Sequence, residues 1–179
     1  MYRVNALAEA WPRRAAARRP FADVARDHLD DVYRYLVFLT ADPVLAEDLT
    51  AETFEKAFRS WKRFDPRRGG EKTWLCQLAR SRALDYFRSE ARRRRRESEV
   101  SREQPEVSEP LAEALSPELD SALRSLSAAE REVVVLRVVL DLSAAEAARI
   151  LRIGRTACSM RLARALEKLE ERVRAHVVA

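Results

Sequence analysis

The chain has 179 residues, 47% hydrophobic and 35% charged, with a formal net charge of +5. That length allows one domain or two small ones, and no apolar run reaches the ~20 residues that cross a bilayer as a helix, so membrane insertion is not expected. With 3 glycines and few β-branched runs, the composition points to an all-α protein, and its positive balance favours a polyanionic partner.

Residues 1–20 are rich in alanine and arginine, poor in acid, and interrupted by Pro12 and Pro20. They imitate an organellar transit peptide, but lacking a long amphipathic period they read as a disordered basic extension. Residues 21–40 then repeat apolar side chains at Phe21, Val24, Ala25, Leu29, Val32, Leu36 and Leu39, the pattern of one buried helix face. Asp42 followed by Pro43 is an N-cap and first-turn pair, so a second helix is expected to run to about Arg63. On it Phe54, Phe58 and Trp61 share a side that belongs in the core, and Asp48, Glu52 and Glu55 form an acidic row nearly opposite. Such a row is either solvated or a dock for a basic partner.

The stretch 64–73, FDPRRGGEKT, breaks the helical pattern with a proline and two glycines and reads as a basic loop. It is either a plain connector or a contact for nucleic-acid phosphates. A third helix is expected from about Lys72 to Arg94, with Leu75, Leu78, Ala79, Ala83 and Tyr86 inward. Trp74, Gln77, Ser81, Asp85 and Arg88 line another face that leads into the arginine run 92–96. Hydrogen-bonding groups and arginines in one row suit bases exposed from a duplex, although Trp74 fits a core better than a stacking platform.

Between the arginine run and the C-terminal third, residues 96–117 read as a flexible acidic linker: residues 97–118 hold seven glutamates against the single Arg102, with too few large apolar groups for a core. Ser116 and Pro117 mark a helix start running through Leu126. Ser127 with Glu130 is a capping box that opens a helix through Leu140, with Val133, Leu136 and Leu140 on one side. Ser143 with Glu146 is a second box, opening a short helix that buries Ala147, Ala148 and Leu151 and stops near residues 152–154, where Gly154 permits a tight turn. The last helix buries Cys158, Leu162, Ala165, Leu166 and Leu169, leaving Arg155, Thr156, Ser159, Met160 and Arg164 on its other side. Two short helices at a sharp angle, the second with a polar and arginine face, is how a helix-turn-helix enters a major groove; an ordinary helical hairpin with a solvated basic face produces the same pattern.

Cys76 and Cys158 lie far apart inside amphipathic helices, with only His28 and His176 to assist, so buried free thiols in a reducing compartment are expected rather than a metal site or disulfide. The chain carries no phosphate-binding glycine loop, no HExxH and no nucleophile beside a histidine. No catalytic residue, cofactor, metal or small-molecule substrate is expected.

Two passages together carry a resemblance. Residues 46–54, AEDLTAETF, followed by TWLCQLARSRALDYFR at 73–88, resemble region 2 of bacterial sigma factors of the extracytoplasmic-function group, and LRSLSAAEREVVVLRVVLDLSAAEAARILRIGRTACSMRLARAL at 123–166 resembles their region 4. The resemblance implies two small helical domains: a three-to-four-helix region 2 domain over residues 21–95 and a four-helix region 4 domain with a helix-turn-helix over 118–175, joined by the linker 96–117. It also implies a cytoplasmic protein that binds core RNA polymerase, recognises promoter DNA and helps to open it, with an anti-sigma protein as an optional further partner.

By the same resemblance, Asp48, Glu52 and Glu55 dock on the polymerase clamp. Arg67, Arg68, Lys72, Arg80, Ser81 and Arg88 surround a flipped minus-ten base, whose extrusion costs a few kcal/mol. Arg155, Thr156, Ser159 and Arg164 read the minus-thirty-five element, with Ser143 and Arg161 on phosphates. The acidic linker is implied to run through the polymerase's RNA channel. The chain departs from the family pattern at Ala51, Glu71, Ser81, Arg82 and Arg152. The alternatives are an operator-binding helix-turn-helix regulator, and an adaptor that docks on polymerase without reading a promoter.

Overall fold

A computed structural model describes residues 19–97, 122–123 and 125–177. The N-terminal extension up to residue 18 and nearly all of the linker, with the expected helix start at Ser116 and Pro117, lie outside the described residues. Every regular element among the described residues is helical.

The first lobe is an antiparallel set of three helices. Helix α1 (Phe21–Thr40) ends where Ala41 turns left-handed and donates its N–H to the Val37 carbonyl at 2.8 Å. Helix α2 (Pro43–Ser60) begins as its sequence dictates: the Asp42 carboxylate accepts from the Leu45 N–H at 3.0 Å, with Pro43 in the first turn. It tightens into a 3-10 turn at Trp61–Arg63. Within the expected loop, Asp65 caps a second 3-10 turn, Pro66–Arg68, by accepting from the Arg67 N–H at 3.0 Å. Helix α3 (Glu71–Glu97) therefore starts inside the stretch read as loop and carries the whole arginine run.

Leu36, Leu75, Ala79 and Ala83 are fully buried between these helices, and each large aliphatic so buried stabilises the lobe by about 1.5–3 kcal/mol. At the far end Trp61 stacks on Phe64, with centroids 5.0 Å apart and planes 10° from parallel. Trp74 tilts against both, at 5.8 and 5.1 Å, so it belongs to this aromatic cluster as expected.

The second lobe starts with buried Ala122, Leu123 and Leu126. Helix α4 (Ala128–Val134) opens on the Ser127–Glu130 capping box and then widens into a π turn at Val135–Val139. The Leu140 N–H reaches back to the Val135 carbonyl at 2.9 Å, and the widened turn swings Val138 outward while Leu136 and Leu140 stay buried. Periodicity alone suggested an unbroken helix there. Helix α5 (Ala144–Leu151) opens on the Ser143–Glu146 box. It stops in the expected 152–154 stretch, and the left-handed residue there is Arg152 (φ 56°) rather than Gly154. An L side chain in that region costs roughly 1–2 kcal/mol. Helix α6 (Arg155–Val177) follows directly.

Four residues expected inward face solvent instead: Leu29, Phe58, Tyr86 and Leu166 are 36–66% exposed. Their apolar arcs are wider than the surface packed against them, and the inner positions of each arc take the core. The lobes are also not independent bodies. One apolar cluster runs from Val32 and Leu36 through Leu75 to Leu136, Ala147 and Ile150, because α4 packs on α1 and α5 packs on α3.

Candidate nucleic-acid and polymerase interfaces

The acidic row stands on the outer side of α2, where Asp48, Glu52 and Glu55 are all exposed. Glu55 accepts from Arg59 one turn on at 2.6 Å; at 59% and 74% side-chain exposure such a pair is worth little and is readily exchanged for another cation. Val44 and Phe58 fall on the same arc and are 71% and 66% exposed. Acidic and exposed apolar side chains thus share one face of α2. Phe58 was missed as a site residue because its i, i+4, i+7 spacing with Phe54 and Trp61 reads as core; on this helix Thr53 and Ala57 take the inner positions. The Phe58 ring lies 5.6 Å from that of Phe21 between centroids.

The loop and α3 build two clefts. The larger, of about 640 Å³, lies between the loop and the start of α3, with Phe64 and Trp74 as aromatic wall and Arg63, Arg68, Gln77 and Arg149 around its rim. A second, of about 350 Å³, follows along α3 and is lined by Gln77, Arg80, Ser81 and Arg88, and by Ile150 and Arg152 of the other lobe. Of the expected minus-ten set, Arg68 thus lines the first cleft and Arg80, Ser81 and Arg88 the second.

Arg67 is exposed on the 3-10 turn and lines neither. Lys72 turns away, its Nζ pairing with Asp31 of α1 at 3.0 Å. Arg88 is exposed and holds Asp85 at 3.2 Å. Arg80 is engaged: its Nε donates to Glu132 Oε1 at 2.7 Å and its Nη2 to Oε2 at 3.4 Å. The Tyr35 hydroxyl donates to the same carboxylate at 2.7 Å; burial first, then the negative Glu132, push its pKa well above the ordinary phenol value. Gln77 belongs to the row that the sequence placed on this face of α3, whereas Arg63 and Arg149 were absent from it, the last because nothing local in its own helix points toward the loop.

Glu71, an unexpected acid at the start of α3, accepts from Arg19 at 3.0 Å and faces His28 Nε2 at 3.7 Å. Its charge at the helix N-terminus is also favourable to the helix dipole.

On α6 the buried edge is Cys158 and Ala165. Opposite, Arg155, Thr156, Ser159, Met160 and Arg164 form one exposed arc, with Arg161 half-buried at its border. Arg155, Arg161 and Arg164 make no ion pair among the described residues, so their donors are free for an anion or a base edge. Ser143 is exposed, but its hydroxyl is spent on the cap, donating to Glu146 Oε2 at 2.6 Å and accepting from the Glu146 N–H at 3.3 Å. Those contacts, then Thr73, hold the Glu146 carboxyl below its usual range. Glu130 is held down to about 2 by Lys168 and by its own cap with Ser127.

Cys76 and Cys158 are both free and buried, as expected, and burial pushes the Cys76 thiol up to about 12. Among the described residues no group of three or more His, Cys, Asp or Glu side chains is placed to hold a metal ion, and no helix is long and apolar enough to cross a membrane.

A chain whose described residues form helices alone, with an exposed acidic and apolar strip on α2, a cleft lined by aromatic residues and arginines, and a short helix followed by one that presents an exposed basic arc, has surfaces that suit a nucleic-acid-binding protein. Comparison with known proteins gives the family. Residues 24–93 match the model of sigma-70 region 2, and residues 116–169 that of sigma-70 region 4. The sigma factor CarQ of Myxococcus xanthus is 32% identical over 168 residues, covering 88% of this chain and 91% of its own. The extracytoplasmic-function sigma factor SigX of Bacillus subtilis is 30% identical over 131 residues, 68% of this chain and 67% of that one. BldN of Streptomyces coelicolor is 36% identical over 141 residues, and the match spans 73% of this chain but only 52% of BldN's length. Among solved structures, the sigma factor RpoE of Bartonella quintana, in complex with the anti-sigma factor NepR, superposes with a TM-score of 0.72 at 25% identity, covering 86% of this chain and 96% of that one. The chain belongs to the extracytoplasmic-function group of the sigma-70 family.

Proposed function

We propose that this chain is a dissociable, non-catalytic specificity subunit that binds core RNA polymerase and directs promoter recognition, DNA melting and transcription initiation in the cytoplasm. The observation that carries the reading is that one chain presents three separate surfaces of the right chemistry. The strip Asp48, Glu52, Glu55 and Phe58 is exposed and suits a basic helical partner on the polymerase. The loop and α3 supply a cleft with aromatic residues and arginines suited to an extruded base of the minus-ten element, with Arg68 on it and Arg80, Ser81 and Arg88 on the neighbouring cleft as candidate residues, whereas Arg67 and Lys72 of the sequence-derived set lie outside both. The α6 arc, with Arg155, Thr156, Ser159, Arg161 and Arg164, suits the major groove at minus thirty-five; each arginine bonded to a guanine edge in two places adds about 1–3 kcal/mol of discrimination.

The working division is residues 21–95 for polymerase docking and the minus-ten element, 118–175 for the minus-thirty-five element, and 96–117 as the tether. Ser143 supports that surface by capping α5 with Glu146, which fixes where the helix-turn-helix begins. An anti-sigma protein is a further candidate partner, supported by the likeness to a relative solved in such a complex.

Run-off transcription with purified core polymerase tests the reading: initiation at a defined start, dependent on this chain and abolished by changes in either reading surface, is the expected result. Tight sequence-specific binding of free duplex without polymerase, and no run-off product, would replace it with the operator-binding alternative.

A further inference from the structure

A third cleft, of about 360 Å³, opens between α2 and α3. Glu55, Lys56, Arg59 and Ser60 of α2, Arg63 of the turn that follows and Arg82 of α3 line it. Four cations therefore surround a single carboxylate, and that carboxylate is already engaged, since Glu55 accepts from Arg59 at 2.6 Å. Ser60 is engaged too, donating to the Lys56 carbonyl at 2.7 Å. Lys56, Arg63 and Arg82 make no ion pair and no side-chain hydrogen bond among the described residues.

Arg82 distinguishes this cleft from a merely solvated basic face. It falls on the mostly apolar arc of α3, half-buried, with its Nε–H closed off from solvent and facing no acceptor. A buried donor left unpaired costs free energy, more so on a charged group. An apolar side chain would fill the same arc without that cost, so packing of the lobe gives no reason for a guanidinium here. An oxyanion drawn against the guanidinium edge supplies the acceptor that the protein does not.

We propose that this cleft binds a condensed phosphate, the phosphate chain of an inorganic polyphosphate or of a nucleotide, held by Arg82 together with Lys56, Arg59 and Arg63. Guanidinium groups grip two phosphoryl oxygens at once, and the lysine ammonium adds a point charge. The volume equals that of roughly twelve waters at about 30 Å³ each, room for several linked phosphates. A nucleic-acid strand is the rival occupant, because Arg63 also lines the larger aromatic cleft. Two observations favour the short anion. Among the described residues no aromatic side chain lines this cleft, so it offers bases nothing to stack on. The exposed acids Asp48 and Glu52 continue along α2 from Glu55 and repel a backbone that runs on past it. The site belongs to the free chain and does not depend on the function proposed above.

The experiment uses the full chain and calorimetric titration at about 0.15 M salt, where long-range attraction to a basic surface is screened. The probes are inorganic tripolyphosphate, adenosine triphosphate and a short single-stranded DNA. Arg82→Leu removes the unpaired donor, Lys56→Gln removes a second cation, and Arg94→Gln, an exposed change in the arginine run, controls for the loss of one positive charge elsewhere. Circular dichroism checks that each variant folds. The expected result is binding of tripolyphosphate in a one-to-one complex, weakened about tenfold by Arg82→Leu, less by Lys56→Gln and not by Arg94→Gln. Equal affinity for the nucleotide shows that the phosphate chain alone is recognised, and tighter binding of the nucleotide assigns the site to that source. No binding of either phosphate chain, equal weakening by Arg94→Gln, or a site at Arg82 that takes the DNA strand but not tripolyphosphate would overturn the proposal.

Discussion

Arg80 and Glu132, 52 residues apart in the chain, meet across the seam between the lobes with an Nε–Oε1 distance of 2.7 Å and side chains only 22% and 10% exposed. Neither was placed opposite the other by any local pattern. The pair is sheltered enough for its hydrogen bonds to count, and Tyr35, fully buried, shares the same carboxylate. Glu132→Ala is expected to cost more than a surface charge would, about 2–4 kcal/mol, because Arg80 is left half-buried without its partner. Denaturant unfolding of the variant and of Arg80→Ala/Glu132→Ala measures it: the double change should restore part of the loss.

Phe58→Ala should leave thermal stability almost unchanged, as the ring is 66% exposed. Its effect should fall on core polymerase binding, weakened by about 2 kcal/mol if the ring is a central anchor of the interface. Competition for core enzyme against the unmodified chain reads this directly; equal competition would remove Phe58 from the docking strip.

Arg155→Ala is expected to lower holoenzyme affinity for promoters that carry a minus-thirty-five element by roughly 1–3 kcal/mol, with little effect on templates lacking one. Folding should be untouched, since Arg155 is exposed and makes no ion pair among the described residues. Footprinting across a set of substituted promoters gives the position it reads.

Arg152→Gly should stabilise the chain. The left-handed turn after α5 is strained for arginine and not for glycine, and relief offset by the greater freedom of unfolded glycine leaves a gain of about 0.5–1 kcal/mol. A rise of a few degrees in Tm is the measurement, and a fall would show that the arginine side chain contributes more at the seam than its backbone costs.

Acid should loosen the second lobe in a defined window. Glu130 has its folded pKa depressed to about 2 from an ordinary 4.5. A depressed carboxyl adds stability that is fully present above its unfolded pKa and is lost as pH falls through the folded one. The slope of stability between pH 4.5 and 2 should therefore flatten in Glu130→Gln, followed by chemical denaturation at each pH. Lys168→Met should flatten it in part, because the Ser127 cap remains.

The helices were legible because their causes are local. Asp42, Ser127 and Ser143 each cap the residues immediately after them, and the buried faces of α3 and α6 recur every three or four residues, so Leu75, Ala79, Cys158 and Ala165 were placed correctly by spacing alone. The polar arc of α6 was legible as an exposed face, whereas on α3 the expected row is only partly exposed, with Trp74, Gln77 and Ser81 half-buried. Spacing failed where an apolar arc exceeded its partner, as at Phe58 and Leu166, and where a backbone choice such as the π turn at Val135–Val139 has no marker of its own.

What the amino-acid order settled by itself was therefore the capped helix starts at Asp42, Ser127 and Ser143 and the inner line of each helix face, since hydrogen bonds to the next turn and helical periodicity need no distant partner. Only the tertiary structure decided what those faces meet: that Lys72 turns to Asp31, that Arg149 spans to the loop, and that Arg80 is held by Glu132. Such pairings depend on how two lobes approach in space, and an arginine carries the same donors whether a carboxylate or a phosphate finally takes them.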